Sequence, residues 1–244
     1  MVWSFTVILF LFSLLTACAG SPADANAKKL LMGLDDKGKT LINQPGWVHV
    51  TEKIVFDTDK QDRGTLSNGT IIPLVQTIDI WYHINASKLV YEYVWSMNAK
   101  NGDAVEVTVF LHNNLYNLTT NLTNPMNPYS LSLDYQFTDE MDYFISNSGK
   151  HPVVTTDVVN GSSVTVFKLD QPLSAPRTTT DYKQAINAIG TIASFETGTG
   201  LLVKLVRTVT LADGTRRMFY TDDITIEKGV QPPLDVQNYV NGFW

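Results

Sequence analysis

"FETGTGLLVKLVRTVTLADGTRRMFYTDDITI", residues 195–226, decides the fold of this chain. β-Branched and aromatic residues dominate on both sides of a four-residue break, "ADGT" at 212–215. Such residues suit a pleated, half-buried surface, and Asp213-Gly214 offers the positive φ that a tight hairpin turn requires. The stretch therefore reads as one long hairpin, strand over 192–211 and strand again over 216–228. Gly198-Thr199-Gly200 lacks the third glycine and the strand-to-helix setting of a dinucleotide fingerprint, and reads as a turn.

Working outward, "PVVTTDVVNGSSVTVFKL" (152–169) carries a second hairpin signal at Asn160-Gly161. Between the two hairpins, "TDYKQAINAIG" (180–190) reads as a helix. "FTDEMDYFISNSG" (137–149) reads as another: Thr138 or Asp139 caps it, Met141, Phe144 and Ile145 share a face, and Gly149 stops it. Before the break "NPMNP" (124–128), β-rich runs follow one another at 47–56, 74–84, 88–97, 104–112 and 115–120. Their connections are mostly too short for parallel crossovers, which need a dozen or more residues, so the strands form an antiparallel meander. "AKKLLMGLDD" (27–36) has the pattern of a short amphipathic helix, and the closing "GVQPPLDVQNYVNGFW" (229–244) is expected to pack back on the sheet. The expectation is a mainly β (α+β) domain over 37–244, a strongly curved antiparallel sheet with two or three short helices on one face.

Composition bounds the function. Of 244 residues, 44% are hydrophobic and only 17% charged, enough apolar material for one sizeable core. A net charge of −6 argues against nucleic acid, which is bound through clustered Lys and Arg.

Cys18, the single cysteine, rules out an internal disulfide. It ends the apolar run "FTVILFLFSLLTA" (5–17), which has the length of a signal-peptide core and falls short of the roughly 20 residues that span a bilayer. Lipidation, an ordinary secretory signal cleaved nearby and a retained helix all remain compatible with that run. Leu15-Thr16-Ala17-Cys18 resembles the lipobox of bacterial lipoproteins, which implies a signal peptide over 1–17 and a lipidated Cys18, with 18–36 as tether and possible short helix. Stable attachment requires more than one acyl chain, and a diacylated cysteine meets that requirement. Ala19, where Asp would signal inner-membrane retention in a two-membrane bacterium of the enteric type, favours the outer membrane there, and the cell membrane in an organism with one.

The chain also resembles the bacterial lipoprotein-carrier superfamily, the LolA/LolB-like proteins with their LppX-like and RseB-like relatives. "VVNGSSVTVFKL" matches its strand-turn-strand, and "FETGTGLLVKLVRTVTLADGTRRMFYTDDITI" its Gly-Leu segment, long strand, "DG" turn and return strand. "PGWVHVTEKIVF" and "IDIWYHI" fit its opening strands. The resemblance implies an unclosed β-barrel with helices on its concave side, able to hold acyl chains. Strand aromatics Trp81, Tyr91, Tyr93, Trp95, Phe110 and Phe167 are candidates to line such a cavity; side chains at strand spacing also serve as plain core.

No catalytic or metal-ligand constellation stands out. His49, His83, His112 and His151 lack metal-ligand spacing, and "DTDKQDRG" (57–64) has Gln61 and Asp62 where a calcium loop needs an oxygen ligand and Gly, so it reads as a solvated loop. Asp79 and His83 project on one strand face with Trp81 between them. No nucleophile accompanies them, and no cofactor is expected. The expected activity is binding or transfer of a lipid or another hydrophobic ligand by a membrane-anchored, extracytoplasmic lipoprotein that is no enzyme. A sensor or interaction module of the same fold, contacting an envelope protein, is the alternative.

Overall fold

The computed structural model describes residues 22–57, 69, 71–99, 104–125, 146, 152–177 and 184–242. Among these residues, eleven strands form a single sheet in the order β6-β5-β4-β3-β2-β1-β11-β10-β9-β8-β7. They are β1 (Gly46–Phe56), β2 (Val75–Ile84), β3 (Val90–Ala99), β4 (Ala104–Leu111), β5 (Asn114–Asn117), β6 (Leu122–Pro125), β7 (Val153–Val159), β8 (Ser162–Arg177), β9 (Ile186–Glu196), β10 (Leu202–Leu211) and β11 (Arg216–Lys228). Every neighbouring pair is antiparallel. The chain runs as two meanders, β1 to β6 and β7 to β11, stitched by the pairing of the first strand with the last. β6 and β7 are the two edges, so the sheet does not close into a barrel.

The quoted hairpin is β10 and β11, in register from Lys204 opposite Asp223 to Thr210 opposite Arg216, with one bulge at Arg207/Thr208. Asn160 and Gly161 both take positive φ (51° and 84°), the backbone of a two-residue turn whose twist matches that of its strands.

Two helices accompany the sheet among the described residues, α1 (Pro22–Ile42) and α2 (Leu234–Val240). The amphipathic run at 27–36 is the middle of α1, which is 21 residues long. α1 buries Leu31, Leu34 and Ile42 against Val48, Val50, Ile80, Tyr82, Phe195 and Leu202 on the face of the sheet termed inner here. Its C-terminal half is held at one end of that face. Lys228 Nζ donates to the Leu41 carbonyl (2.7 Å) and Lys37 Nζ to the Thr197 carbonyl (2.9 Å). Backbone meets backbone where the helix crosses the β9–β10 turn: a Cβ on Gly200 would lie 1.9 Å from the Leu34 carbonyl oxygen.

α2, in the closing apolar stretch, packs back on the sheet as expected, but on the outer face. Val236 joins Trp81, Val94, Val109 and Leu111 there. The helix read over 180–190 is overturned: from Ile186 onward these residues are strand β9, paired with β8 and β10 on both sides. Two full ladders of hydrogen bonds and the burial of Ile186 against Val209 and Leu211 outweigh a local helical pattern. β6 begins before the "NPMNP" break and was not marked by any β-rich run. Of the helix read over 137–149 only Ser146 is described, and it is helical; the rest of that segment, the loop at 57–64 beyond Asp57, and the segment 1–21 with Cys18 lie outside the described residues.

Candidate functional site: the inner face of the sheet

Strand parity fixes what faces inward. Val48, Val50, Glu52 and Ile54 alternate along β1, flanked on β2 by Tyr82, Ile80, Ile78 and Gln76, and on β11 by Lys228, Ile226, Ile224 and Asp222. Apart from Lys228, which reaches the Leu41 carbonyl of α1, the rows nearest the α1 end are apolar. β3 extends them, with Tyr93 beside Tyr82 and Trp95 beside Ile80, and on β4 Phe110 lies opposite Tyr93. Tyr82 and Tyr93 are ring neighbours at 5.2 Å, and burial drives both phenols well above their usual pKa. On the far side Phe167 and Phe195 meet edge to face at 5.8 Å.

Polar groups begin two rows further along. Glu52 is 8% exposed, and burial, reinforced by the negative charge of Asp222, pushes its carboxyl up to about 8. Gln76 is 4% exposed, and its Oε1 accepts no hydrogen bond. Asp222, also buried, lies in the same row as Gln76, with Ile54 between them. Hydrophobic patterning alone did not single out these three residues. The signal that marks them is a polar residue at an inward parity position of a central strand: Glu52 after Val48 and Val50, Gln76 before Ile78 and Ile80.

The six aromatic candidates divide between the two faces. Tyr93, Trp95, Phe110 and Phe167 face inward, with Phe110 and Phe167 fully buried and Tyr93 and Trp95 partly covered. Trp81 faces outward, one residue out of phase with Ile80 and Tyr82, and is covered by the α2 cluster. Tyr91 sits at the bulge between the His83/Glu92 and Ile84/Val90 pairs. Its hydroxyl donates to His83 Nε2 (2.8 Å) on the outer face.

Asp79 and His83 share the outer face without meeting. His83 donates through Nδ1 to Glu92 (2.6 Å) and stacks on its cross-strand partner Trp47 at 4.2 Å. His49 stacks in the same way on Trp81 at 4.0 Å, with Nε2 3.0 Å from Asp79 and Nδ1 3.4 Å from Glu227. Thr51 Oγ1 and Asn98 Nδ2 also donate to Asp79. The hydrogen bond from His49, opposed by burial and aided by the imidazole's charge, holds Asp79 below the usual carboxylate range. A nucleophile–base pair needs one imidazole nitrogen on the nucleophile and the other on an orienting acid. His49 has a carboxylate at each nitrogen and His83 is held between Glu92 and Tyr91, so both read as cross-strand clamps.

Among the described residues a cavity of about 210 Å³ opens near the β7–β8 turn, lined by Val159, Ser162, Glu196, Leu201 and Ile224 among others. It falls below the roughly 300–1,000 Å³ of ordinary ligand pockets. No cluster of His, Cys, Asp and Glu among the described residues forms a metal site.

No protein-family model matches the chain, and no curated protein matches it either. Solved structures to which the chain is similar include the Mycobacterium tuberculosis lipoprotein LppX, with 14% identity, a TM-score of 0.40, and coverage of 83% of this chain and 96% of that one. LprF from Mycobacterium bovis gives 11% identity and a TM-score of 0.39 over 86% and 96%. A beta-barrel-like protein of the domain of unknown function DUF1849 from Brucella abortus gives 10% and 0.22 over 76% and 97%.

Proposed function

We propose that this chain is an extracytoplasmic lipoprotein, anchored through a lipid on Cys18, that binds or transfers a lipid or another hydrophobic molecule on the inner face of its sheet. One observation carries the reading: among the described residues, the inner face is far wider than the one helix that packs on it. Eleven strands at about 4.8 Å spacing span roughly 50 Å, whereas a helix with its side chains is only about 10–12 Å across. Among the described residues α1 alone packs on that face, and Tyr93, Trp95, Val105, Val154 and Ile226 remain only partly buried beside the core. Apolar surface left half-covered in the lap of an open sheet suits an apolar ligand, because burying it contributes about 25 cal/mol for each Å².

Acyl chains need no catalytic group, and the histidines described above are committed to structural contacts. The reading is therefore of a binding protein and not an enzyme.

Native mass spectrometry of the protein purified from a bacterial envelope, followed by lipid extraction, tests it. A bound mass that is lost on denaturation and recovered as a lipid supports the proposal. A clean apo mass that persists after incubation with membrane lipids overturns it and favours an interaction module of the same fold, to be pursued by crosslinking in cells.

A further inference from the structure

At the α1 end of the sheet one ladder stops early. β11 stays paired with β1 as far as Lys228, opposite Val48, but with β10 only as far as Asp223, opposite Lys204. Residues 224–228 therefore have a ladder on one side only. The cause lies in the neighbouring turn. A register shift between Leu202 and Lys204 marks a bulge against β9, and a bulge bends its strand. The β9–β10 turn beyond it is drawn onto α1, with Gly200 at the Leu34 carbonyl and Lys37 Nζ on the Thr197 carbonyl.

Among the described residues, the cavity of about 210 Å³ lies at this gap. β11 lines it with Ile224 and Ile226, the β7–β8 hairpin with Val159 and Ser162, and the strands between them with Glu196 and Val203. Main-chain groups face the gap as well. Gly229 N–H donates to the Trp47 carbonyl (3.0 Å), so along β11 the odd-numbered residues direct their N–H and C=O to β1 and the even-numbered ones to the other side. Ile226 and Lys228 thus aim main-chain donors and acceptors at the side where the β10 ladder has ended.

A one-sided ladder beside a side-chain pocket is what strand addition uses: main-chain hydrogen bonds supply affinity and the pocket supplies specificity. The volume suits one large aliphatic or aromatic side chain, since a cavity of roughly 150 Å³ holds benzene. Charge adds a preference. Glu196 lines the cavity, and Glu227, which also meets His49, follows Ile226 and is more than half exposed. Of the cations in this region, Lys204 is paired with Asp223, while Lys37 and Lys228 turn their ammonium groups to main-chain carbonyls. The β7–β8 hairpin bounds the gap on its far side, so the gap admits an extended segment and not the edge of another sheet.

We propose that this gap is a peptide-binding site: an extended segment of another protein, with an apolar side chain flanked by basic residues, adds as a strand to β11 over 224–228 and lodges that side chain in the cavity. The inference is independent of any ligand on the inner face.

The test pans a phage-displayed random heptapeptide library on the full chain carrying Cys18→Ala, so that no acyl group takes up apolar peptides. Enriched peptides are resynthesised with a fluorophore and titrated by anisotropy. They are expected to carry one large apolar residue with Lys or Arg beside it. N-methylation of alternate peptide bonds in the phase that faces β11 is expected to weaken binding at least about tenfold, and in the other phase by no more than about twofold, since only the first removes hydrogen bonds to the strand. Ser162→Trp, which fills the cavity from the hairpin, and separately Ile226→Pro, which removes a main-chain N–H that β1 does not use, are expected to weaken binding to a similar degree. Leu122→Ser, on the exposed edge strand β6, leaves it unchanged. Thermal melts check that the variants fold, and the N-methylated peptides give their answer on the parent chain whether or not they do. A library that yields no binder, or binders indifferent to both the phase of methylation and Ser162→Trp, overturns the site. Binding lost with Leu122→Ser also overturns it, by moving strand addition to the sheet edge.

Discussion

Glu52→Gln is expected to stabilise the protein, and increasingly so as pH rises. In the unfolded chain Glu52 titrates near 4.5, whereas in the fold it is pushed up to about 8. A carboxyl whose folded pKa is raised penalises the folded state once pH exceeds the unfolded value, and the penalty grows until pH passes the folded value. At about 1.4 kcal/mol for each unit, the native protein loses on the order of 3 kcal/mol between pH 5 and pH 8 through this one group. A glutamine keeps the shape and cannot ionise, so the variant lacks that slope.

The assay is urea unfolding of both proteins at pH 5, 6, 7 and 8, with the difference in free energy plotted against pH. Histidines and surface acids common to both cancel in the difference. Tyr82 and Tyr93, pushed upward, stay protonated throughout, and Asp79, pushed downward, stays ionised. The difference should open from under about 1 kcal/mol at pH 5 to about 3–4 kcal/mol at pH 8. Parallel pH profiles for the two proteins would refute the burial argument.

Other substitutions probe the remaining joints. Gly200→Ala forces a Cβ to within 1.9 Å of the Leu34 carbonyl oxygen at a residue with φ of +75°, and should cost about 3 kcal/mol or more by separating α1 from the β9–β10 turn, measured by chemical unfolding. Phe167→Ala empties a fully buried position against Phe195 and should cost about 3–5 kcal/mol in the same assay. Arg216 reaches Asp170 at 2.8 Å across Gly190, where a Cβ would lie 2.3 Å from Thr208 Oγ1. Arg216→Ala, breaking an exposed ion pair, should therefore cost less than about 1 kcal/mol, and Gly190→Ala clearly more. Because Asp79 is held below the usual carboxylate range, its interactions stabilise the protein at neutral pH and are lost as pH falls through its lowered pKa. Asp79→Asn should accordingly flatten the acid limb of the stability profile measured between pH 5 and pH 2.

The sequence by itself determined the strands and turns. Alternation of β-branched and aromatic residues, punctuated by Asn160-Gly161 and Asp213-Gly214, is local information, and local geometry obeys it. Short connections then left antiparallel pairing as the only economical solution. The 180–190 segment shows where local information ends: its helical spacing was real, but β8 and β10 offered hydrogen-bond ladders on both sides, and only the assembled sheet reveals them.

The candidate site followed the same division. The aromatics were visible, yet which face each one served depended on strand phase. Trp81 is one residue out of step with its inward neighbours, and the bulge beside His83 carries Tyr91 outward. Glu52, Gln76 and Asp222 are scattered over 170 residues and ordinary in type; the registers of β2, β1 and β11 bring them to adjacent inward positions. A sequence records which residues are polar. Which of them are buried, and beside what, is set by pairing between distant strands, which the tertiary structure alone decides.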